Sequence, residues 1–318
     1  MQRALVWLGL ATAAGMFLVL VMGAAVTNTG SAEGCGRSWP LCNGQFVPEF
    51  TVQTAIEYSH RAVTGLEGLL VVALTLAMLM RYRADREVQV LAPLMLGTLL
   101  LQAGLGAGAV LVPQSPAMLA SHFGVSLVAF ASTFLSAAYV FERTRGGTVL
   151  TEPAVSPAVR RTVIGVGLYV LLVVYLGAYV RHAGVSLACT DWPLCNGQLV
   201  PSLSGPTGVV FVHRLAALGA LCLLAWLAVV MRRANVAPLA ASAALVLGVL
   251  QALSGAVVVW TLLGLFSTLA HAGIMALLCA ALAVLVRRVL LPRRLVLGAP
   301  EQQVRPGVRR RVPPVSIG

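Results

Sequence analysis

Eight separate runs of mostly apolar residues dictate what this 318-residue chain can become. They cover roughly 4–27, 55–80, 89–112, 118–141, 162–181, 207–231, 238–260 and 265–287, each about the 20 residues a helix needs to cross a bilayer's hydrocarbon core. Water offers no cover for them. The chain is 59% hydrophobic and only 10% charged, whereas a soluble domain carries about 25% charged residues. The runs are continuous rather than alternating, which excludes a strand-built barrel. Their dominance also excludes a disordered, fibrous or disulfide-knot chain, for which six cysteines are too few. The expected fold is an all-α integral membrane protein of eight transmembrane helices.

The formal charge of +12 comes entirely from arginine on the basic side. Such a balance can signal nucleic acid, but here the arginines sit in short clusters between apolar runs, so no nucleic-acid partner is expected. With the N-terminus in the cytoplasm, 18 of the 22 arginines fall inside. The other four are Arg37, Arg61, Arg181 and Arg214, at or near the outer side. That bias satisfies the positive-inside rule and predicts a multi-pass protein of the bacterial plasma membrane with both termini cytoplasmic. The first run is too long for a cleaved signal peptide and leads straight into further spans. The tail, 291–318, is rich in Arg, Pro and Gly and is expected to be disordered beside anionic lipid.

The chain repeats itself. Trp39-Pro-Leu-Cys-Asn-Gly-Gln-Phe-Val-Pro48 returns as Trp192-Pro-Leu-Cys-Asn-Gly-Gln-Leu-Val-Pro201, nine of ten positions matching at an offset of 153. His60-Arg61 maps to His213-Arg214 at the same offset, and Gln102 and His122 map to Gln251 and His271 at 149. This divides the chain into a four-helix half at 1–145, a cytoplasmic linker at 146–157, a second four-helix half at 158–290, and the tail. An even number of spans per half predicts two parallel four-helix-bundle repeats related about the membrane normal. Gly104, Gly106, Gly108, Gly248 and Gly255 either allow close helix packing or are ordinary membrane-helix composition.

Four of the five histidines, His60, His122, His213 and His271, begin the even-numbered spans at one depth, a pair in each half. An ionisable side chain inside a membrane is costly and points to function, although a lone histidine serves as well for an interhelical hydrogen bond. Two facing imidazoles can supply both axial nitrogens to a haem iron, and a helix bundle can wrap the apolar ring. Zinc wants a more compact set of N and S ligands, and a proton relay needs more acids than the chain has. His182 has no counterpart in the first half and is expected to be a solvated outer-loop residue.

The halves differ in one respect. Glu57 lies one turn before His60 on nearly the same face, and the matching residue before His213 is Val210. An apolar site with two histidines suits a permanently bound haem, whereas a carboxylate beside the ligand suits chemistry. A plain interfacial acid at a helix N-terminus is the alternative for Glu57. Glu67, deeper in the same span, is a second acid or a helix–helix partner. Arg61 and Arg214 are candidates for haem propionate contacts, with snorkelling to headgroups as the alternative.

Cys35 and Cys42 flank one Trp-Pro-Leu-Cys loop, and Cys189 and Cys195 flank the other. An oxidising outer side predicts a disulfide in each, a redox-active pair being the alternative. Cys222 and Cys279 lie within spans and are expected to be buried packing residues.

With eight spans in two halves, a histidine pair in each, Glu57-x-x-His60-Arg61 and a cysteine pair per outer loop, the chain resembles the haem A synthase family over about 1–290. That resemblance implies oxidation of a methyl group of haem O to a formyl group by two successive hydroxylations, giving haem A for terminal oxidase assembly. It implies a haem b cofactor on His213 and His271. The substrate haem would sit on His60 and His122, with Glu57 as the carboxylate needed for turnover. A haem O synthase, oxidase assembly factors, an external electron acceptor and membrane lipid are the implied partners. Two other functions fit eight spans and paired histidines. A two-haem cytochrome b electron carrier would need no acid, and a haem transporter would want a midplane site and broken helices.

Overall fold

The computed structural model describes residues 2–112, 115–144 and 155–291. Arg145, residues 146–154 of the expected linker and the tail from 292 lie outside the described residues. Eight helices are found: α1 (Gln2–Asn28), α2 (Val52–Tyr82), α3 (Arg86–Leu111), α4 (Pro116–Thr144), α5 (Pro157–His182), α6 (Gly205–Arg233), α7 (Pro238–Trp260) and α8 (Leu265–Leu290). All eight are long and apolar enough to span a bilayer, and no named strand occurs among the described residues. The chain is a multi-pass membrane protein. Each helix matches one expected run, with ends shifted by up to five residues.

Local chemistry sets those ends. The Thr51 hydroxyl accepts the Thr54 amide at 3.1 Å and caps α2, so the helix starts at Val52, before the apolar run. Ser156 caps α5 in the same way through the Val159 amide. Prolines stand at or next to the first position of α5, α6 and α7, where a missing amide proton costs nothing.

Within the first half, α1 packs on α2 and α4, and α3 packs on α2 and α4. Within the second, α5 packs on α6 and α8, and α7 on the same two. Contacts of α4 with α5 and α8, and of α1 with α8, join the halves. The central helix, α4, is the least apolar of the eight spans, yet 61% of its span is buried, against 11% for α3. Its Ala129, Ala131, Ser132, Thr133, Ser136 and Ala137 are small, which lets four helices approach its backbone. Their hydroxyls bond back to the preceding turn, as Ser136 does to the Ser132 carbonyl at 2.9 Å, so these hydroxyls are satisfied within the helix. Leu69 and Phe266, 69% and 86% exposed, face outward where lipid covers them.

Ion pairs and hydrogen bonds tie the halves at both ends. At the arginine-rich end, buried Arg287 of α8 bonds Glu87 of α3 at 2.8 Å and Glu142 of α4 at 2.9 Å. At the cysteine-loop end, Arg181 of α5 bonds the Asn28 side chain of α1 at 3.0 Å. Asn28 in turn donates to the Leu263 carbonyl at 3.4 Å.

Two expectations need correction, and the two readings of the glycines divide between positions. His182 is the last residue of α5 and half-buried rather than a solvated loop residue, because α5 runs one residue further than its apolar stretch. Cys222 is exposed on the outer face of α6, whereas Cys279 is buried as expected; a thiol on a lipid-facing stripe needs no core. Nothing lies within 4 Å of a methyl group added at Gly104 or Gly108, so these two do not mediate close packing, whereas Gly248 fits tightly against Leu224.

Candidate functional site

Each histidine enters its helix at a repeated position. His60 lies eight residues into α2 and His213 eight into α6, while His122 and His271 lie six into α4 and α8. All four are half-buried.

Every ring also lies against a glycine of the preceding helix. A methyl added at Gly23 of α1 would lie 3.5 Å from His60 Cε1, and at Gly106 of α3 3.4 Å from His122 Cε1. At Gly177 of α5 it would lie 2.7 Å from His213 Cε1, and at Gly255 of α7 3.4 Å from His271 Cε1. A glycine removes the side chain that would otherwise occupy the space beside each imidazole. Gly106 and Gly255 were among the glycines singled out by sequence, but Gly23 and Gly177 were not. Their common motif, Gly-Ala-x-Val at 23–26 and 177–180, was the available signal.

The donor set suits a porphyrin. Among the described residues no three His, Cys, Asp or Glu side chains cluster as a compact metal site requires. The buried Nδ1 atoms of His60, His122 and His213 have no partner. Two imidazoles per bundle, each packed against a glycine, are the donor set that axial ligation of a haem iron uses.

The cysteine loops are built alike over these sites. The disulfides Cys35–Cys42 and Cys189–Cys195 are formed. In each loop a Trp-Pro bond is cis, at Trp39–Pro40 and Trp192–Pro193. Asn43-Gly44 and Asn196-Gly197 all have positive φ, the geometry that favours Asn-Gly in a two-residue turn. The turns pair Cys42 with Gln45 and Cys195 with Gln198.

Arg61 and Arg214 have partners that neither sequence alternative foresaw. Arg61 Nη1 donates to the carbonyls of Ser38 and Leu41 at 2.7 and 2.6 Å. Arg214 Nη1 donates to those of Asp191 and Leu194 at 2.8 and 2.5 Å. Each guanidinium pins its cysteine loop to the helix that carries the adjacent histidine.

The acid breaks the symmetry. Glu57 is 4% exposed, accepts the Cys35 amide at 2.8 Å and pairs with Arg61 Nη2 at 2.6 Å. Val210, equally buried, stands at the matching place, and there Arg214 Nη2 turns to the Cys189 carbonyl at 3.2 Å instead. Glu67 is a second buried acid nearly three turns deeper. It faces Gly15 of α1, and its Oε1 has no partner. Ala220 occupies the matching place in the second half.

Residues 47–283 match the model of the COX15-CtaA family, described as cytochrome oxidase assembly protein. The chain belongs to the COX15-CtaA family. Relatives named haem A synthase agree over nearly the whole chain. One from Shouchella clausii is 41% identical over 290 residues, covering 88% of this chain and 96% of its own. Another, from Symbiobacterium thermophilum, is 42% identical over 283 residues, 86% and 91% of the two chains. A third, from Geobacillus kaustophilus, is 39% identical over 302 residues, 92% and 94%. The family match spans all four histidines, Glu57 and both Arg61 and Arg214.

Proposed function

We propose that this membrane protein is a haem A synthase, an enzyme that oxidises a methyl group of its substrate haem O to the formyl group of haem A. The observation that carries the division of labour is the replacement of Glu57 by Val210 at matched, buried positions beside matched histidines. On this reading the halves are parallel repeats. The first, 1–145, takes the substrate between His60 and His122, and the second, 158–290, keeps a haem b between His213 and His271. A bound haem b supplies one-electron redox chemistry. The arginine bias orients both termini to the cytoplasm and the cysteine loops to the outer side.

The chain's own residues then act as follows. Glu57 is a base one turn from a substrate ligand. Converting a methyl to a formyl group removes hydrogen from carbon; the electrons pass to an external acceptor, and a fixed carboxylate can accept the protons released. Its two oxygens hold one bond each to Cys35 and Arg61 and retain lone pairs for a further proton. Arg61 balances its charge and fixes its direction, so little reorganisation is needed during reaction. The loop closed by Cys35–Cys42 lies over this carboxylate and limits access of water. A simple electron carrier would have no use for an acid in one half alone.

Glu57→Gln tests the reading in cells that make haem O. The variant should keep the haem b spectrum of the purified protein and yield no haem A on extraction and chromatography. Full haem A formation would overturn the role of Glu57. Absence of haem A with the unaltered protein would overturn the function itself.

A further inference from the structure

His271 differs from the other three site histidines in being held at both ring nitrogens. Ser254 Oγ donates its one proton to the Gln251 carbonyl at 2.8 Å. Towards His271 Nδ1, also 2.8 Å away, it therefore acts as acceptor, and Nδ1 carries the ring proton. The Gln251 amide nitrogen lies across the ring, 3.0 Å from Nε2 and 3.2 Å from Nδ1. The Ser254 contact thus favours the tautomer with Nε2 as the basic nitrogen.

The first half has the same parts in another order. Gln102 Nε2 reaches His122 Nε2 at 3.1 Å and also bonds Ser126 Oγ. Ser126 spends its proton on the His122 carbonyl at 2.9 Å. Nothing meets His122 Nδ1, which is buried without a partner. The repeat register gives the cause. Leu105 stands where the second half has Ser254, and Met275 stands where the first half has Ser126. The serine has changed helices, from the one facing the ring to the one bearing it.

We propose that Ser254 is the positioning residue that makes the second half a retaining haem site, and that Leu105 at the matching place leaves the first half able to release its haem. The inference rests on the assignment of haem b to His213 and His271. An acceptor at Nδ1–H fixes the tautomer and ring orientation of a ligating histidine and raises its basicity. Loss of such a partner costs about 10–100-fold in metal affinity. A site that must hold one haem through many turnovers needs this support, and a site that must pass its product on is better without it.

The test is haem transfer from the purified holoprotein to excess apomyoglobin, together with the midpoint potential of the bound haem. Ser254→Ala should speed transfer about 10–100-fold. It should also raise the potential, because a less basic imidazole stabilises oxidised iron less. Ser254→Thr, which keeps the hydroxyl, should restore both and shows that the alanine variant is not simply misfolded. Leu105→Ser should slow release of a haem loaded into the first half. Unchanged transfer and potential in Ser254→Ala would overturn the proposal. His271→Ala is the separate control: if that variant keeps its haem, the ligand assignment fails whatever Ser254 does.

Discussion

Gly177→Ala and Gly23→Ala make the same change at matched places in the two halves, and the structure expects them to behave differently. The added carbon lies 2.7 Å from His213 Cε1 at the first site and 3.5 Å from His60 Cε1 at the second. Carbon atoms rest about 3.5–4.0 Å apart, so the His213 ring must move by roughly 1 Å while His60 need not move at all. Metal–ligand distances tolerate only about 0.2 Å, so the shift is paid in ligation. Overpacking of this kind costs about 1–3 kcal/mol, which corresponds to about 5- to 150-fold weaker haem retention at 1.4 kcal/mol per factor of ten. Alanine is also the better helix former by about 1 kcal/mol, so α5 itself should not weaken. The assay is haem content and optical spectrum of each purified variant, with helical content as control. Gly177→Ala should lose haem b and Gly23→Ala should keep it. A Gly177→Ala protein with full haem and an unshifted spectrum would refute the reasoning, as would equal loss in both variants.

Two further outcomes follow from the loops. Arg214→Ala removes three bonds to the second loop and should raise amide exchange in Asp191–Gly197 at least tenfold, with the disulfide still formed; exchange at the unaltered rate would show that the guanidinium does not pin the loop. Asp191 is held below the usual carboxylate range by the Gly197 amide first and the Asn196 amide next. Its hold is therefore complete above the ordinary Asp value of about 3.9 and is lost as pH falls further, through the lowered value. Exchange at Asn196 and Gly197 should rise at that acid end, and Asp191→Ala should show fast exchange at every pH; a wild-type loop indifferent to acid would contradict the assignment.

The spans were legible because a membrane helix has to be apolar along its whole length, and the site histidines because ionisable groups in such a setting are few. Packing order was not. Hydropathy ranked α4 lowest, yet its small residues make it the helix the others gather around. The arginines show a different limit. Their partners are main-chain carbonyls about 20 residues away, which side-chain identity cannot reveal, although the shared register of His-Arg and Trp-Pro-Leu-Cys held the clue. Gly23 and Gly177 beside the imidazoles were hidden for a third reason: a glycine reads the same whether it faces lipid, a leucine or a histidine ring. The asymmetries Glu57/Val210 and Ser254/Leu105 were both open to inspection once the offsets were known, but only the hydrogen bonds gave the second one a meaning.

The cross-ties at the two faces bear on how anything can enter. Arg287 with Glu87 and Glu142 at one end, and Arg181 with Asn28 at the other, latch the bundles above and below the plane where a carrier would pivot. Rocking one bundle against the other, as alternating-access carriers do, would tear a buried ion pair apart. A flat, greasy guest arriving sideways from the lipid would leave both latches closed.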